Sequence, residues 1–367
     1  MIFPAKSLRV RLAVVSLLGF HSAAAAAATA TTGETEPERG TRKLAVVSNE
    51  AEAVAEVASI KALLETNFGS TPEMKSKFLR LGFHDCIEGC DGCIDFDEPD
   101  NNGLVEPIDA LAPIAAQRTL LSRADVWALA ATWSAETMQD PTGNYVLFPF
   151  THYGRVDCGD DSMAKLGPTQ ELVPSTEFTT LELLHFFATA FDFTPRETVA
   201  IMGAHSVGQA SRFNSGYDGP NRWDKSNDVM DNDYYHQLVG KPGRLERAPS
   251  SGDKWKQVEI DNSDVPDIGN EVQWVRTPDE EGVGEIFMLH TDVALVRDLT
   301  NQFNDDAFAI CKFRNGPVGN RCPLAFATTN IMSEYREDEL VWLGDFRDAL
   351  AKLLSNGHST CNAPICF

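Results

Sequence analysis

Basic side chains are scarce in this chain of 367 residues. Only 31 Lys and Arg stand against 54 Asp and Glu, a formal charge of −23 at neutral pH. So acidic a surface argues against nucleic acid and anionic membranes as partners, and it repels anionic substrates unless a local basic patch receives them. Long apolar runs are missing too, since the compact run from Leu12 to Phe20 is too short to span a bilayer. Alternation of polar and apolar residues is rare, so few strands are expected and the class reads as mainly α. No Asn-X-Ser/Thr sequon occurs, and N-glycosylation is not expected.

The amino terminus is read as a signal peptide over residues 1–28. Lys6, Arg9 and Arg11 give a basic start, the apolar run follows, and Ala23 to Ala28 supply small residues for cleavage. An organelle transit peptide is the rival, because the first acidic residue is Glu34. The compact apolar run favours the signal, and with it a secreted protein. Residues 29–45 form a polar low-complexity linker. Eight cysteines, all beyond this segment, fit a disulfide framework in an oxidising compartment. Only local pairs are assigned, Cys311 with Cys322 and, in the tail 356–367, Cys361 with Cys366.

Arg80 and His84 sit four residues apart, so on a helix both reach over one face. Thr71-Pro72 opens that helix, with Thr71 as its cap and Met74, Phe78 and Leu81 as its apolar stripe. A cation beside an imidazole suits the splitting of a peroxide. The ring carries a proton from the near oxygen to the far one, and the cation stabilises the departing charge. Far downstream, Thr194-Pro195-Arg196-Glu197 is a capping box that starts a helix bearing His205. Flanked by Gly203 and Ala204, that histidine can approach a flat cofactor closely and ligate its iron. Ser122 to Asp125 caps a helix with Val126, Leu129 and Trp133 at core spacing, and a last long helix covers about 338–354. The stretch 240–287, rich in Gly, Pro and acids, is the most irregular and has room for a short hairpin.

Arg80-Leu81-Gly82-Phe83-His84-Asp85-Cys86 and Gly203-Ala204-His205-Ser206 resemble the distal and proximal segments of the plant, fungal and bacterial haem peroxidase superfamily. The resemblance implies an all-α fold whose distal half (46–165) and proximal half (166–355) enclose one haem b. It implies reduction of hydrogen peroxide to water with one-electron oxidation of a small organic donor, by a monomer serving peroxide removal. A haem- or calcium-binding protein without turnover is the alternative. Asn101 matches the family's distal asparagine, whose amide oxygen keeps one ring nitrogen of His84 protonated. Phe83 stands where ascorbate and cytochrome c peroxidases carry Trp. Asp292 matches the carboxylate behind the haem ligand, and Gly154-Arg155-Val156-Asp157 the segment beside the haem.

The resemblance extends to cations. Ser206, Asp224, Ser226, Val229 and Asp231 match the proximal calcium pattern of fungal secretory peroxidases, and hard oxygen donors with two carboxylates suit that ion. Asp85, Gly89 and Asp91 match the distal calcium loop, although Cys93 replaces a ligating serine there. The cysteines near that loop would staple it, one of them to Cys158; read without the family, His84, Cys86, Cys90 and Cys93 have zinc spacing. The tryptophan expected beneath the haem ligand is Trp223 when counted back from Asp231, and that position is Asn221 when counted forward from His205. Beside a divalent cation, an indole radical is disfavoured, so the oxidising equivalent is expected on the porphyrin. Asn214 and Ser211 replace the ascorbate-binding Arg and the manganese-binding Asp, which supports neither specialist donor.

Overall fold

The computed structural model describes residues 50–357 apart from 88, 144, 160–173, 218–221, 240–254, 267, 277–285, 300–310 and 312–321. The expected signal segment, linker and Cys361–Cys366 pair lie outside the described residues. The described residues fall in one compact unit, and it is mainly α, as expected.

Helices α1 (Glu50–Phe68), α2 (Pro72–Ile87), α3 (Val105–Ala115) and α4 (Arg123–Thr137) surround a first core that includes Leu64, Phe78, Leu81, Leu111 and Trp127. Two features bring α2 and α4 together. Phe78 and Leu81 of α2 are fully buried beside Val126, Leu129 and Trp133 of α4. Gly82 then removes the last obstacle, since a Cβ there would stand 2.6 Å from the Ala131 Cβ. The opposite side of α2 supplies Leu79 and Cys86 to a second, larger core. Helix α2 is thus clamped on two faces, which fixes the direction of His84.

The second core gathers α5 (Thr180–Phe191), α6 (Pro195–Met202), α8 (Asp233–Val239), α9 (His290–Ala294), α10 (Thr329–Glu337) and α11 (Glu339–Leu353). A four-residue helix, α7 (Arg212–Ser215), lies between α6 and α8 in sequence. Leu343, Phe346, Leu350 and Leu353 of α11 are buried as their spacing predicts. Ser122 and Thr194 cap α4 and α6 through reciprocal boxes with Asp125 and Glu197, each cap contributing about 0.5–2 kcal/mol. Thr71 departs from expectation. Its hydroxyl turns back to the Phe68 carbonyl at 2.9 Å and finishes α1 instead of capping α2, while Pro72 does begin α2.

The irregular stretch holds more than a hairpin. Strands β1 (Trp255–Ile260), β2 (Glu271–Arg276) and β3 (Ile286–Met288) form an antiparallel sheet in the order β1-β2-β3. Trp255 pairs with Arg276 and Trp274 with Met288, and the buried Trp255, Trp274 and Met288 join the second core. Disulfides link Cys86 to Cys90, Cys93 to Cys158, and Cys311 to Cys322. The zinc reading thereby loses its thiolates. Among the described residues, no helix is long and apolar enough to cross a membrane.

Candidate active site

His84, one turn beyond Arg80 on α2, is 8% exposed. Its Nδ1 lies 2.7 Å from the Asn101 amide oxygen, and the Asn101 amide nitrogen donates to the Asp95 carbonyl at 2.7 Å. An acceptor at Nδ1 requires the proton there, so Nε2 keeps the free lone pair. Among the described residues Nε2 has no hydrogen-bond partner. Burial, and then the Arg80 cation, lower the ring to about 3 against the opposing Asn101 bond. The imidazole is therefore neutral across the physiological range. Phe83 stands beside His84, its ring edge-on at 5.6 Å and backed by Phe187 and Phe191 of α5.

Arg80 is more tightly held than the sequence suggests. Its Nη1 donates to the Asn102 carbonyl at 3.0 Å and its Nη2 to the Asp100 carbonyl at 2.6 Å. Both carbonyls belong to the 3₁₀ turn Pro99–Asn101 and the residue after it, so one short turn positions Arg80 and Asn101 together. Burial brings the guanidinium down to about 10, still a cation at neutral pH.

His205 sits not on α6 but on the 3₁₀ turn Gly203–Ser206 that follows it. The role of Gly203 also differs from expectation. A Cβ there would run into the Tyr235 hydroxyl and the Trp342 indole, so the glycine serves packing against α8 and α11 rather than approach to a cofactor. His205 Nδ1 is 2.8 Å from Asp292 Oδ1. The His205 side chain keeps 30% exposure while Asp292 has none, and its Nε2 has no partner among the described residues. Asp292 is shared three ways. Its Oδ2 accepts from the Leu289 amide at 2.8 Å and starts α9, and its Oδ1 also accepts from the Tyr234 hydroxyl at 2.8 Å. Burial and the carboxylate push the Tyr234 phenol well above its usual range.

Tyr234 was not legible as a site residue. It falls three residues past the cation pattern, in a Tyr-Tyr pair that reads as ordinary core, and only the return of α9 brings Asp292 against it. Trp223 lies parallel to His205, with ring centroids 3.9 Å apart and planes 5° apart. The count back from Asp231 is the register that puts a tryptophan there, and Asn221 lies outside the described residues. The neighbouring His290 is structural, accepting the Trp274 indole N–H at 2.7 Å. Arg155 is structural as well. It pairs with Asp125 at 2.8 Å and donates to the carbonyls of His152 and Leu354, tying α4 to the end of α11.

The oxygen donors of the proximal pattern converge. The Ser206 hydroxyl donates to the Val229 carbonyl at 3.2 Å and accepts from the Asp231 amide at 3.1 Å. Asp224 Oδ1 accepts from the Ser226 amide at 2.9 Å, whereas its Oδ2 is buried with no partner. Burial and the nearby Asp231 charge raise Asp224 to about 9, and burial raises Asp231 to about 6. The distal trio is arranged differently. Asp85 Oδ1 accepts from the Gly92 amide at 2.7 Å, Asp91 Oδ1 from Cys93, and Gly89 adopts a φ of 113° in the turn between them.

Two histidines, each fixed through Nδ1 and open at Nε2, one with a cation beside it and one with a carboxylate behind it, define the class of site that haem enzymes use on peroxides. The peroxidase family model matches residues 59–303, two thirds of the chain, and the chain belongs to that family. It is similar to the mitochondrial cytochrome c peroxidase of Candida albicans, 26% identical over 272 residues, which cover 74% of this chain and 57% of the relative. The corresponding Candida glabrata protein is 25% identical over 71% of this chain and 55% of its own length. A Gibberella zeae protein assigned as a heme-binding peroxidase is 25% identical over 71% and 61%. The chain thus spans less than two thirds of the length of these relatives. The expectation of secretion is overturned, because the two cytochrome c peroxidases among these relatives are mitochondrial. A basic start without acids before Glu34 serves an organelle presequence as well as an export signal.

Proposed function

We propose that this protein is a haem peroxidase that reduces hydrogen peroxide to water and takes the electrons singly from a donor. The observation that carries the reading is the pair of oriented histidines, His84 on Asn101 and His205 on Asp292, each with an open Nε2. The residues present fit a haem. His205 offers a partly exposed nitrogen whose basicity Asp292 raises, and Phe83 offers an apolar wall. A bound haem would be held through His205 and would supply the redox centre that takes up the two oxidising equivalents of peroxide.

The side chains do the rest. His84 Nε2, neutral at working pH, takes the proton from the near peroxide oxygen and delivers it to the far one. Asn101 holds the tautomer that makes this possible, and Arg80 stabilises the negative charge that develops as the oxygens part. Asp292 keeps the Nδ1 proton of His205 engaged, with Tyr234 tempering how much negative charge it can lend.

Calcium is the cation proposed for the proximal cluster of Ser206, Asp224, Ser226, Val229 and Asp231, where the orphan Asp224 Oδ2 asks for a positive partner. The distal trio Asp85, Gly89 and Asp91 is a weaker proposal, since Cys93, bonded to Cys158, stands where the family's loop carries a ligating serine. The donor is a small organic molecule or, as the relatives' names suggest, cytochrome c; the acidic surface suits a cationic protein. A mitochondrial location follows the same relatives. The test is steady-state peroxide consumption by haem-loaded protein with a panel of phenols, ascorbate, manganese and reduced cytochrome c. Turnover with at least one donor is expected. Stoichiometric haem binding without turnover would leave a binding protein instead.

A further inference from the structure

We propose that Tyr217, with Glu271 as its proton acceptor, is a second oxidation site, where one-electron donors too bulky for the peroxide pocket are oxidised near the surface. The inference rests on the peroxidase reading and names a donor site for it.

Tyr217 is only 5% exposed. Its hydroxyl donates to Glu271 Oε2 at 2.9 Å and stands 2.6 Å from the Thr176 hydroxyl. With the phenol proton committed to Glu271, Thr176 is the donor of the second bond. Thr176 and Glu271 are both partly exposed, so the phenol oxygen lies one side chain beneath solvent. The local backbone is pinned as well. Asn262, beyond the end of β1, donates to the Gly216 carbonyl at 3.0 Å, and Glu271 begins β2. Burial and then the Glu271 charge hold the phenol well above its usual range, so Tyr217 rests as a neutral donor that must shed a proton when it loses an electron.

An aromatic path leads to it from His205. Trp223 stacks on His205 at 3.9 Å and meets Phe287 of β3 at 4.2 Å. Phe287 and Tyr217 belong to one apolar cluster, against which Trp223 packs. Trp223 itself is a poor resting place for an electron hole. Among the described residues its indole N–H has no hydrogen-bond partner, and the nearby Asp292 Oδ1 already accepts from His205 and Tyr234. Tyr234 has a carboxylate too, but it is wholly buried, and a proton placed on Asp292 would compete with the His205 bond. Glu271 is the carboxylate that can take a proton without cost to the haem ligand.

The electrons balance as follows. Hydrogen peroxide, with two protons from solvent and one electron from each of two donor molecules, gives two waters. One of those electrons leaves Tyr217 by way of Phe287 and Trp223 as the phenolic proton moves to Glu271 Oε2, leaving a phenoxyl radical and a neutral carboxyl. An external donor then gives one electron to the phenoxyl, and the proton returns from Glu271. The proton never leaves the protein, so the donor need not carry a transferable hydrogen. Glu271 and Glu177 add negative charge on this side, which favours cationic donors.

The experiment mixes haem-loaded wild type, Tyr217→Phe and Glu271→Gln with one equivalent of peroxide, without donor, in the presence of a spin trap, and maps the adduct by mass spectrometry. In parallel, turnover is measured with guaiacol and with reduced cytochrome c as the bulky cationic probe. The adduct is expected on Tyr217 in wild type, with lower yield in Glu271→Gln. In Tyr217→Phe the ratio of cytochrome c to guaiacol turnover should fall by about tenfold or more. An adduct on Trp223 or Tyr234 instead, or an unchanged ratio in Tyr217→Phe while guaiacol is oxidised, overturns the inference alone. Failure of wild type to oxidise any donor of the panel overturns the peroxidase reading and the inference with it.

Discussion

Acidification singles out His84. Its native ring titrates at about 3, against 6.5 for an unperturbed imidazole, because burial and the Arg80 charge oppose its protonation. The sign follows from where the proton goes. Below 6.5 the unfolded chain takes up a proton that the native ring refuses, so the unfolded state gains as pH falls. The loss is about 1.4 kcal/mol per pH unit and continues until the native ring titrates near 3. Between about pH 7 and about pH 4.5 this amounts to roughly 3 kcal/mol. In the cation-free site Asp224 and Asp231 act in the opposite sense, since carboxyls raised to about 9 and about 6 favour the native state as they protonate. Comparing wild type with His84→Gln, which cannot titrate, cancels them. Urea unfolding of both haem-loaded proteins at the two pH values should show wild type losing roughly 3 kcal/mol more than the variant. The pH profile of the peroxide reaction should likewise keep its acid limb well below 6.5. Equal losses in the two proteins, with an acid limb near 6.5, would refute the neutral buried imidazole.

Gly203→Ala places a Cβ against Tyr235 and Trp342 and should cost about 1–3 kcal/mol in thermal or urea unfolding; a neutral effect would show that the turn before His205 has slack. Exhaustive chelation should shift the haem toward a low-spin, less active form as the Ser206 end of the turn relaxes, with calcium found by elemental analysis of the untreated protein; no calcium and an unaltered spectrum would dispose of the proximal cation. Trp223→Phe should leave small-phenol oxidation within a few fold of wild type, because the oxidising equivalent need not rest on the indole; a large loss, with a protein radical signal disappearing, would move the stored equivalent onto Trp223.

The distal and proximal histidines were legible because their neighbours are local. Four-residue spacing puts Arg80 and His84 on one face of α2, and the capping box at Thr194 fixes where α6 begins. Asp292 and Asn101 required the family resemblance, since nothing in their own segments says which histidine they serve. Tyr234 was missed because its function depends on a partner 58 residues away. The same holds for Gly203, whose missing side chain is explained by α8 and α11 rather than by anything beside it in sequence. The sheet was underestimated because β3 has only three residues, all buried, and so shows no alternation of polar and apolar side chains. Thr71 shows the remaining limit, for a hydroxyl between two helices can serve either, and composition does not say which.

The most direct test of the central claim is the stopped-flow rate of hydrogen peroxide with haem-loaded wild type and with His84→Leu at equal haem content. If His84 is the base that moves the peroxide proton, the variant reacts roughly 10²–10⁴ times more slowly or worse, while its haem remains bound through His205. A variant that reacts at the wild-type rate would contradict that role.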